Sequence, residues 1–233
     1  MGLLQLKVVR IPGVIGIYGA SGKDFPARMS FMLPEAAAAY AVIAKELKVS
    51  VSDMFRTAEE SLRARAQKAG VQPPGVSAHN YGLAIDIATD AVLKATGLTK
   101  PALDKALEER GWFCHRKDGK RGMEDWHYNF FGVGDAAKPW IAACAASTNR
   151  SGGIEAKIKA VFGDQLQLTA EEAQIALAKM KFYSGEIDGI FGGGSKQALM
   201  AFQRAWRLQP SGQLDAKTER TLAYVSAEVS ELK

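Results

Sequence analysis

Ser77-Ala78-His79-Asn80-Tyr81-Gly82-Leu83-Ala84-Ile85-Asp86-Ile87 is the stretch that decides how this chain reads. Pro73, Pro74 and Gly75 force an irregular approach to it, and Leu83 to Ile87 is a strand-length apolar run with one acid inside. An acid in such a strand needs a reason to be there. Gly82 leaves room for a turn between His79 and Asp86, so the histidine can lead in while the aspartate projects from the strand. Downstream, Glu124-Asp125-Trp126-His127-Tyr128 opens an aromatic, strand-like run from Trp126 to Phe131. Two neutral imidazoles and a carboxylate are ligand types that zinc takes in catalytic sites, where a fourth position stays open for water. His79, Asp86 and His127 can make that set. The spacing differs from the helical H-E-x-x-H arrangement, and by spacing alone a core histidine with an isolated acid is the other reading.

A hydrolytic metal site also wants a carboxylate to move protons. Glu124 and Asp125 are both candidates. On a regular strand Asp125 shares the face of His127 and Glu124 points away, so choosing Glu124 requires a bend before Trp126. Arg56 ends a short strand and precedes the helix start Thr57-Ala58-Glu59-Glu60. A guanidinium fixed there can grip a substrate carboxylate or stabilise an oxyanion; the alternative is an exposed arginine paired with Glu59 or Glu60. His115, beside Arg116 and Lys117, reads as a surface-loop residue, and Cys114 as core, packed with Trp112.

Outward from these motifs, Pro34 to Leu47 predicts a helix, Val49 to Met54 a strand, and Ala58 to Ala69 a charged helix stopped by Gly70. Pro101 to Arg110 predicts another helix with Gly111 just past its end, and Trp112 to Cys114 a strand. The fold class expected is α+β, a small antiparallel sheet with flanking helices, followed by a small all-α domain. Ser147 to Gly153 is a polar run ending in a Gly pair, which puts domains at 1–148 and 154–233 with a linker at 149–153. Beyond it, Thr169-Ala170-Glu171-Glu172 fits a capping box ahead of a helix carrying Ile175, Leu177 and Met180. Further helices are expected from Ser195 to Trp206 and from Ala216 onward. Their lead-ins, Gly185-Glu186-Ile187-Asp188 and Gly212-Gln213-Leu214-Asp215, suggest a half-repeat in a three-helix module.

Composition bounds the reading. With 233 residues, 47% apolar and 24% charged, the chain is neither disordered nor a low-complexity fibre. The richest apolar stretch, Ala36 to Ala44, is fenced by Glu35, Lys45 and Glu46 and falls short of the roughly 18 residues of a membrane span. Lys7 and Arg10 interrupt the N-terminal apolar residues, so no secretory signal is expected. Cys114 and Cys144 lie too far apart for a zinc knuckle or a redox C-x-x-C and read as free buried thiols. The net charge of +5 sits in residues 1–150, with 20 Lys and Arg against 15 Asp and Glu. Such an excess suits an anionic polymer, or merely solubility, and no nucleic-acid motif accompanies it.

Ser77-x-His79-x2-Gly82-x-Ala84-x-Asp86 followed by Glu124-x-Trp126-His127 closely resembles the zinc peptidases of bacterial cell walls. That family includes the vancomycin-resistance D,D-peptidases, the zinc D-alanyl-D-alanine carboxypeptidases and the phage L-alanyl-D-glutamate endolysins. The resemblance spans roughly Phe31 to Phe131. It implies Zn2+ held by His79, Asp86 and His127, Glu124 as catalytic acid/base, Arg56 binding substrate and polarising its carbonyl, and Ser77 and Trp126 lining the cleft. The segment before Arg56 lacks the Gly-Tyr often found there. The C-terminal pattern resembles a peptidoglycan-binding three-helix domain: Phe182-Tyr183-x-Gly185-x-Ile187-Asp188-Gly189, then Ser195-x2-Ala198-x3-Phe202-Gln203, then Gly212-x2-Asp215-x2-Thr218-x3-Leu222. Together they imply a modular hydrolase of peptidoglycan stem peptides, with the wall polymer as partner, no nucleic acid or membrane, and a monomer. With no leader read, an endolysin held in the host cytoplasm until release to the wall is expected, cutting between L-Ala and D-Glu. A D-alanyl-D-alanine carboxypeptidase and a non-catalytic wall-binding protein are the alternatives.

Overall fold

The computed structural model describes residues 4–11, 17–18, 23–24, 29–67, 70–118, 121, 124–145 and 149–231. Lys68 and Ala69 of the expected second helix and Ser147 and Thr148 of the polar run lie outside them. The described residues of Lys7–Arg56 and Tyr81–Ala160 form one compact unit, and those of Met1–Leu6, Thr57–Asn80 and Val161–Lys233 form the other.

The first unit is built on a four-stranded antiparallel sheet. Its strands are β5 (Val51–Asp53), β6 (Ala84–Ile87), β7 (Trp112–Cys114) and β8 (His127–Phe130), in the order β5-β6-β8-β7. Two short ribbons precede it: β1 (Val9–Arg10) with β4 (Phe31–Met32), and β2 (Ile17–Tyr18) with β3 (Lys23–Asp24). Helix α1 (Pro34–Glu46) starts on Pro34 as expected, its fixed φ suiting the first helical position. Two helices follow β6: α3 (Thr89–Thr96), which the sequence reading did not anticipate, and α4 (Lys100–Glu108), capped by the Thr99 side chain.

Strand alternation sorts the sheet into two faces. Ile85, Ile87, Tyr128, Phe130, Trp112 and Cys114 share one face and are buried throughout. Against it α4 contributes Leu103 and Leu107, and Asp104 accepts hydrogen bonds from both Lys100 Nζ and Tyr128 Oη at 2.6 Å. The buried charges are thus paired and hydrogen-bonded, which burial demands of them. The other face carries Asp53 opposite Asp86, and Asp86 opposite His127.

Residues 151–153, expected as the end of a linker, form the first turn of α6 (Ser151–Leu166), following α5 (Lys138–Ala143). Asn149 Oδ1 accepts the Ser151 N–H at 3.0 Å, and a Cβ on Gly153 would stand 2.4 Å from Cys144 Sγ. Glycine here serves close packing instead of flexibility. Cys114 and Cys144 are both free and buried.

In the second unit α2 (Ala58–Gln67) starts with a capping pair: Thr57 Oγ1 accepts the Glu60 N–H, and Glu60 Oε2 accepts the Thr57 N–H. The three helices of the C-terminal module are α7 (Ala170–Lys179), α8 (Gly193–Ala205) and α9 (Ala216–Glu231). Thr169 and Glu172 form the expected capping box. The half-repeat is real, but its register differs from the one read in the sequence. Gly189 corresponds to Gly212, four residues later than the Gly185 pairing, because the repeat is organised by two buried glutamines. Gln174 Oε1 accepts the Gly189 N–H and its Nε2 donates to Ser195 Oγ; Gln203 Oε1 accepts the Gly212 N–H and its Nε2 donates to Thr218 Oγ1. Both glycines hold positive φ, 71° and 67°. Each amide ties a loop to the helix that follows it. Among the described residues no helix is long and apolar enough to cross a membrane.

Gln203→Leu keeps the volume but leaves the Gly212 N–H without its acceptor. A loss of about 2–3 kcal/mol is expected, seen as a lower midpoint in urea unfolding followed by circular dichroism; an unchanged midpoint would contradict the clamp.

Candidate metal centre

His79 lies on a 3-10 turn, Ala78–Tyr81, whose shape is set by its neighbour. The fully buried Asn80 accepts the Gly75 and Ser77 N–H groups at 3.1 and 3.2 Å and donates from Nδ2 to Ser61 Oγ at 2.9 Å. Ser77, expected to line a cleft, accepts the His79 N–H at 3.4 Å and so also supports the turn. Gly82 then redirects the chain into β6 with φ 64°, and a Cβ there would stand 2.8 Å from Leu33 N and Met32 Cα. No L side chain fits that position without displacing backbone.

The turn and the sheet register bring His79, Asp86 and His127 together, with one ligand atom from each all within 4.8 Å of one another. His79 is 2% exposed. The Nδ1 of His127 lies 2.8 Å from Asp86 Oδ1, and its Nε2 lies 3.0 Å from Asn129 Oδ1. An amide oxygen only accepts, so Nε2 carries a hydrogen and Nδ1 faces the aspartate with either a proton or a lone pair. Burial pulls the His127 imidazolium down, but the bond to Asp86, that carboxylate's charge, Asn129 and Glu124 outweigh it and hold the group above the ordinary histidine value. The pocket favours positive charge at this point, and two histidines with a carboxylate fit a divalent transition metal. Asn129, which the sequence reading passed over, supplies the outer hydrogen bond that fixes the imidazole. Its signal was the strand alternation that puts residues 127 and 129 on one face.

The choice between Glu124 and Asp125 turns on a bend. Residues 124–126 form a turn, the His127 N–H donates to Glu124 O at 3.2 Å, and Glu124 sits at φ 61° in the left-handed region. Strand β8 therefore begins only at His127, and Trp126, expected within the strand, lies in the turn. Asp125 is 3% exposed and faces the Arg121 guanidinium at 2.8 Å, so its carboxylate is already engaged. The Glu124 side chain is 58% exposed and its Oε2 lies 3.1 Å from His115 Nε2. His115 is no loop residue on the surface, since its side chain is only 16% exposed. The β7–β8 pairing continues through its N–H to His127 O at 2.7 Å, and the ring stands edge-on to that of His127, centroids 5.6 Å apart. Burial, and then the charge of His127, lower its pKa against the pull of Glu124.

Arg56 has a carboxylate partner other than the two expected from the sequence. Glu60 caps α2 and Glu59 faces Arg63, while the Arg56 guanidinium is bound to Asp53, with Nε donating to Oδ2 at 3.1 Å. Asp53 in turn lies opposite Asp86 of the candidate cluster.

Residues 49–133, which carry this cluster, match the family model of D-alanyl-D-alanine carboxypeptidase, VanY. Residues 169–222 match that of a peptidoglycan binding domain. The chain carries a VanY-type cell-wall peptidase domain and a peptidoglycan-binding domain. Among solved structures it is similar to the LdcB LD-carboxypeptidase, described for the molecular basis of peptidoglycan recognition. The identity is 22%, with 55% of this chain and 72% of that chain covered and a TM-score of 0.39. No curated protein matches the sequence. The segment matched to VanY spans His79, Asp86, His127, Glu124 and Arg56, and the two matches together support a peptidoglycan hydrolase with peptidoglycan as its partner.

In chelator-treated protein, Asp86→Asn is expected to lower the His127 pKa, because burial then acts against a weaker acceptor. An NMR titration of the imidazole reads this directly, and an unchanged pKa would remove Asp86 as the cause.

Proposed function

We propose that the protein is a zinc-dependent carboxypeptidase that removes a terminal D-amino acid from peptidoglycan stem peptides, held at the wall by its helical module. The observation that carries this reading is the His79–Asp86–His127 cluster, with Glu124 in the turn leading into His127, inside the segment that matches VanY. His79, Asp86 and His127 would hold the metal. Bound there, zinc supplies Lewis acidity, lowering the pKa of a coordinated water to about 7 and polarising a carbonyl.

The chain's own groups do the rest. Glu124 takes a proton from the attacking water and passes it to the nitrogen of the departing amine as the peptide bond breaks. Its large exposure suits a group that meets substrate from solvent. Arg56, pinned by Asp53, offers a guanidinium of fixed direction to a substrate carboxylate. The match of residues 49–133 to a D-alanyl-D-alanine carboxypeptidase model favours D-amino-acid release over the L-alanyl-D-glutamate cut expected from the sequence. The three-helix module raises the local concentration of stem peptides around the site without adding a catalytic contact. All four groups of the chemistry are present, which argues against a wall-binding protein without activity.

Mass spectrometry of purified peptidoglycan digested by the zinc-loaded protein tests the bond. Release of free D-alanine is expected, stopped by chelator and restored by zinc. New N-termini on D-Glu would instead make it an endopeptidase, and no metal-dependent product would leave only wall binding. Glu124→Gln is expected to keep the metal and lower turnover at least about 100-fold, the scale of general acid–base catalysis; wild-type turnover would sink its assignment.

A further inference from the structure

We propose that His115 is a positioning residue that holds the Glu124 carboxylate in its working orientation. The inference rests on the reading of Glu124 as the proton carrier. Nothing in the sequence motif includes His115, yet the sheet register brings it there. Trp112 pairs with Phe130, Phe113 with Asn129 and Cys114 with Tyr128, so the next pair in the ladder is His115 with His127. Directly opposed residues on an antiparallel pair project to the same face, which puts His115 in one row with His127, Asp86 and Asp53.

The contrast between the two partners supplies the physical reason. Glu124 lies on a turn, is 58% exposed and has a long side chain with several rotatable bonds. Left alone, such a carboxylate samples many rotamers. His115 is fixed at every level. Its N–H donates to His127 O at 2.7 Å, its carbonyl accepts the Arg150 N–H at 2.9 Å, and its ring rests edge-on to that of His127 at 87°. From this rigid base Nε2 reaches Glu124 Oε2 at 3.1 Å. A nitrogen bearing a hydrogen there donates to the carboxylate whether the ring is neutral or charged, occupying one oxygen and leaving the other to take the proton. A donor held by a strand thereby orients a base held by a turn, as outer groups do around metal sites.

The test uses the full zinc-loaded chain and purified peptidoglycan. His115→Phe keeps a ring against His127 but removes the donor; kcat is expected to fall about 10- to 100-fold, with KM and zinc affinity close to wild type. His115→Gln, whose amide nitrogen can donate from a similar reach, is expected to recover most of kcat. In a Glu124→Gln background, His115→Phe is expected to cause no further loss. Wild-type kcat in His115→Phe, a fall matched by lost zinc affinity, or no recovery in His115→Gln would each overturn the proposal. Activity retained in Glu124→Gln would overturn the reading of Glu124 itself, whereas an inactive Glu124→Gln beside a fully active His115→Phe would overturn only the role of His115.

Discussion

The antiparallel register of β6 on β8 is the constraint on which the site depends. It sets Asp86 directly across from His127 and, carried outward to β5 and β7, lines Asp53, Asp86, His127 and His115 along one row. A slip of one residue would turn all of them to the face now filled by Ile85, Tyr128 and Trp112. The apolar face prevents that slip, because the burial of those large side chains is lost with it. The chemistry on one face is therefore held in place by the packing on the other. The paired charges of Lys100 and Asp104, bonded to Tyr128, tie α4 to the same arrangement.

Around this row the polar groups divide the work of binding a cation and of aiming it. Asp86 and Asn129 hold the two nitrogens of His127, Asp86 at Nδ1 and Asn129 at Nε2. Asp53 anchors Arg56, and Glu124 comes back from its turn to meet His115. His127, Arg56 and Glu124 each have a partner, Asp86, Asp53 and His115, whose position is set by cross-strand pairing, while His79 is held by the side chains that shape its turn. Such support matters for catalysis, where an error of about 1 Å in a reacting group can cost two orders of magnitude in rate.

The helical module uses a different device for the same end. Within its apolar core two buried glutamines act as internal braces, each spanning a loop glycine and a helix-start hydroxyl. A side chain with both donor and acceptor at one end is suited to this, since a single amide satisfies the backbone of a loop and the cap of a helix. The result is a compact bundle in which the glycines at 189 and 212 play equivalent parts.

Much of this was legible in the sequence, and what was not has a common cause. The turn at Gly82, the capping box at Thr169 and most strands and helices follow from residue type and local spacing, because they depend on groups within a few positions of one another, whereas His79, Asp86 and His127 were candidate ligands by residue type and were joined into one set by the resemblance. The preference for Glu124 came from resemblance; locally it competed with Asp125, and the bend at φ 61° and the engagement of Asp125 by Arg121 separate the two. Arg56 has two acids close after it in sequence, yet it binds Asp53, which precedes it on β5, and Glu60 caps α2. The linker glycines turned out to be packing glycines, and the half-repeat shifted by four residues, since only folded neighbours reveal what a glycine touches. Asn129 has only the strand alternation with His127 as its signal, and His115 has no local signal at all. Sequence determined which chemistry the chain holds, because ligand type and turn chemistry are local properties; tertiary structure alone decided which side chains stand behind it, because cross-strand pairing joins residues that are distant along the chain.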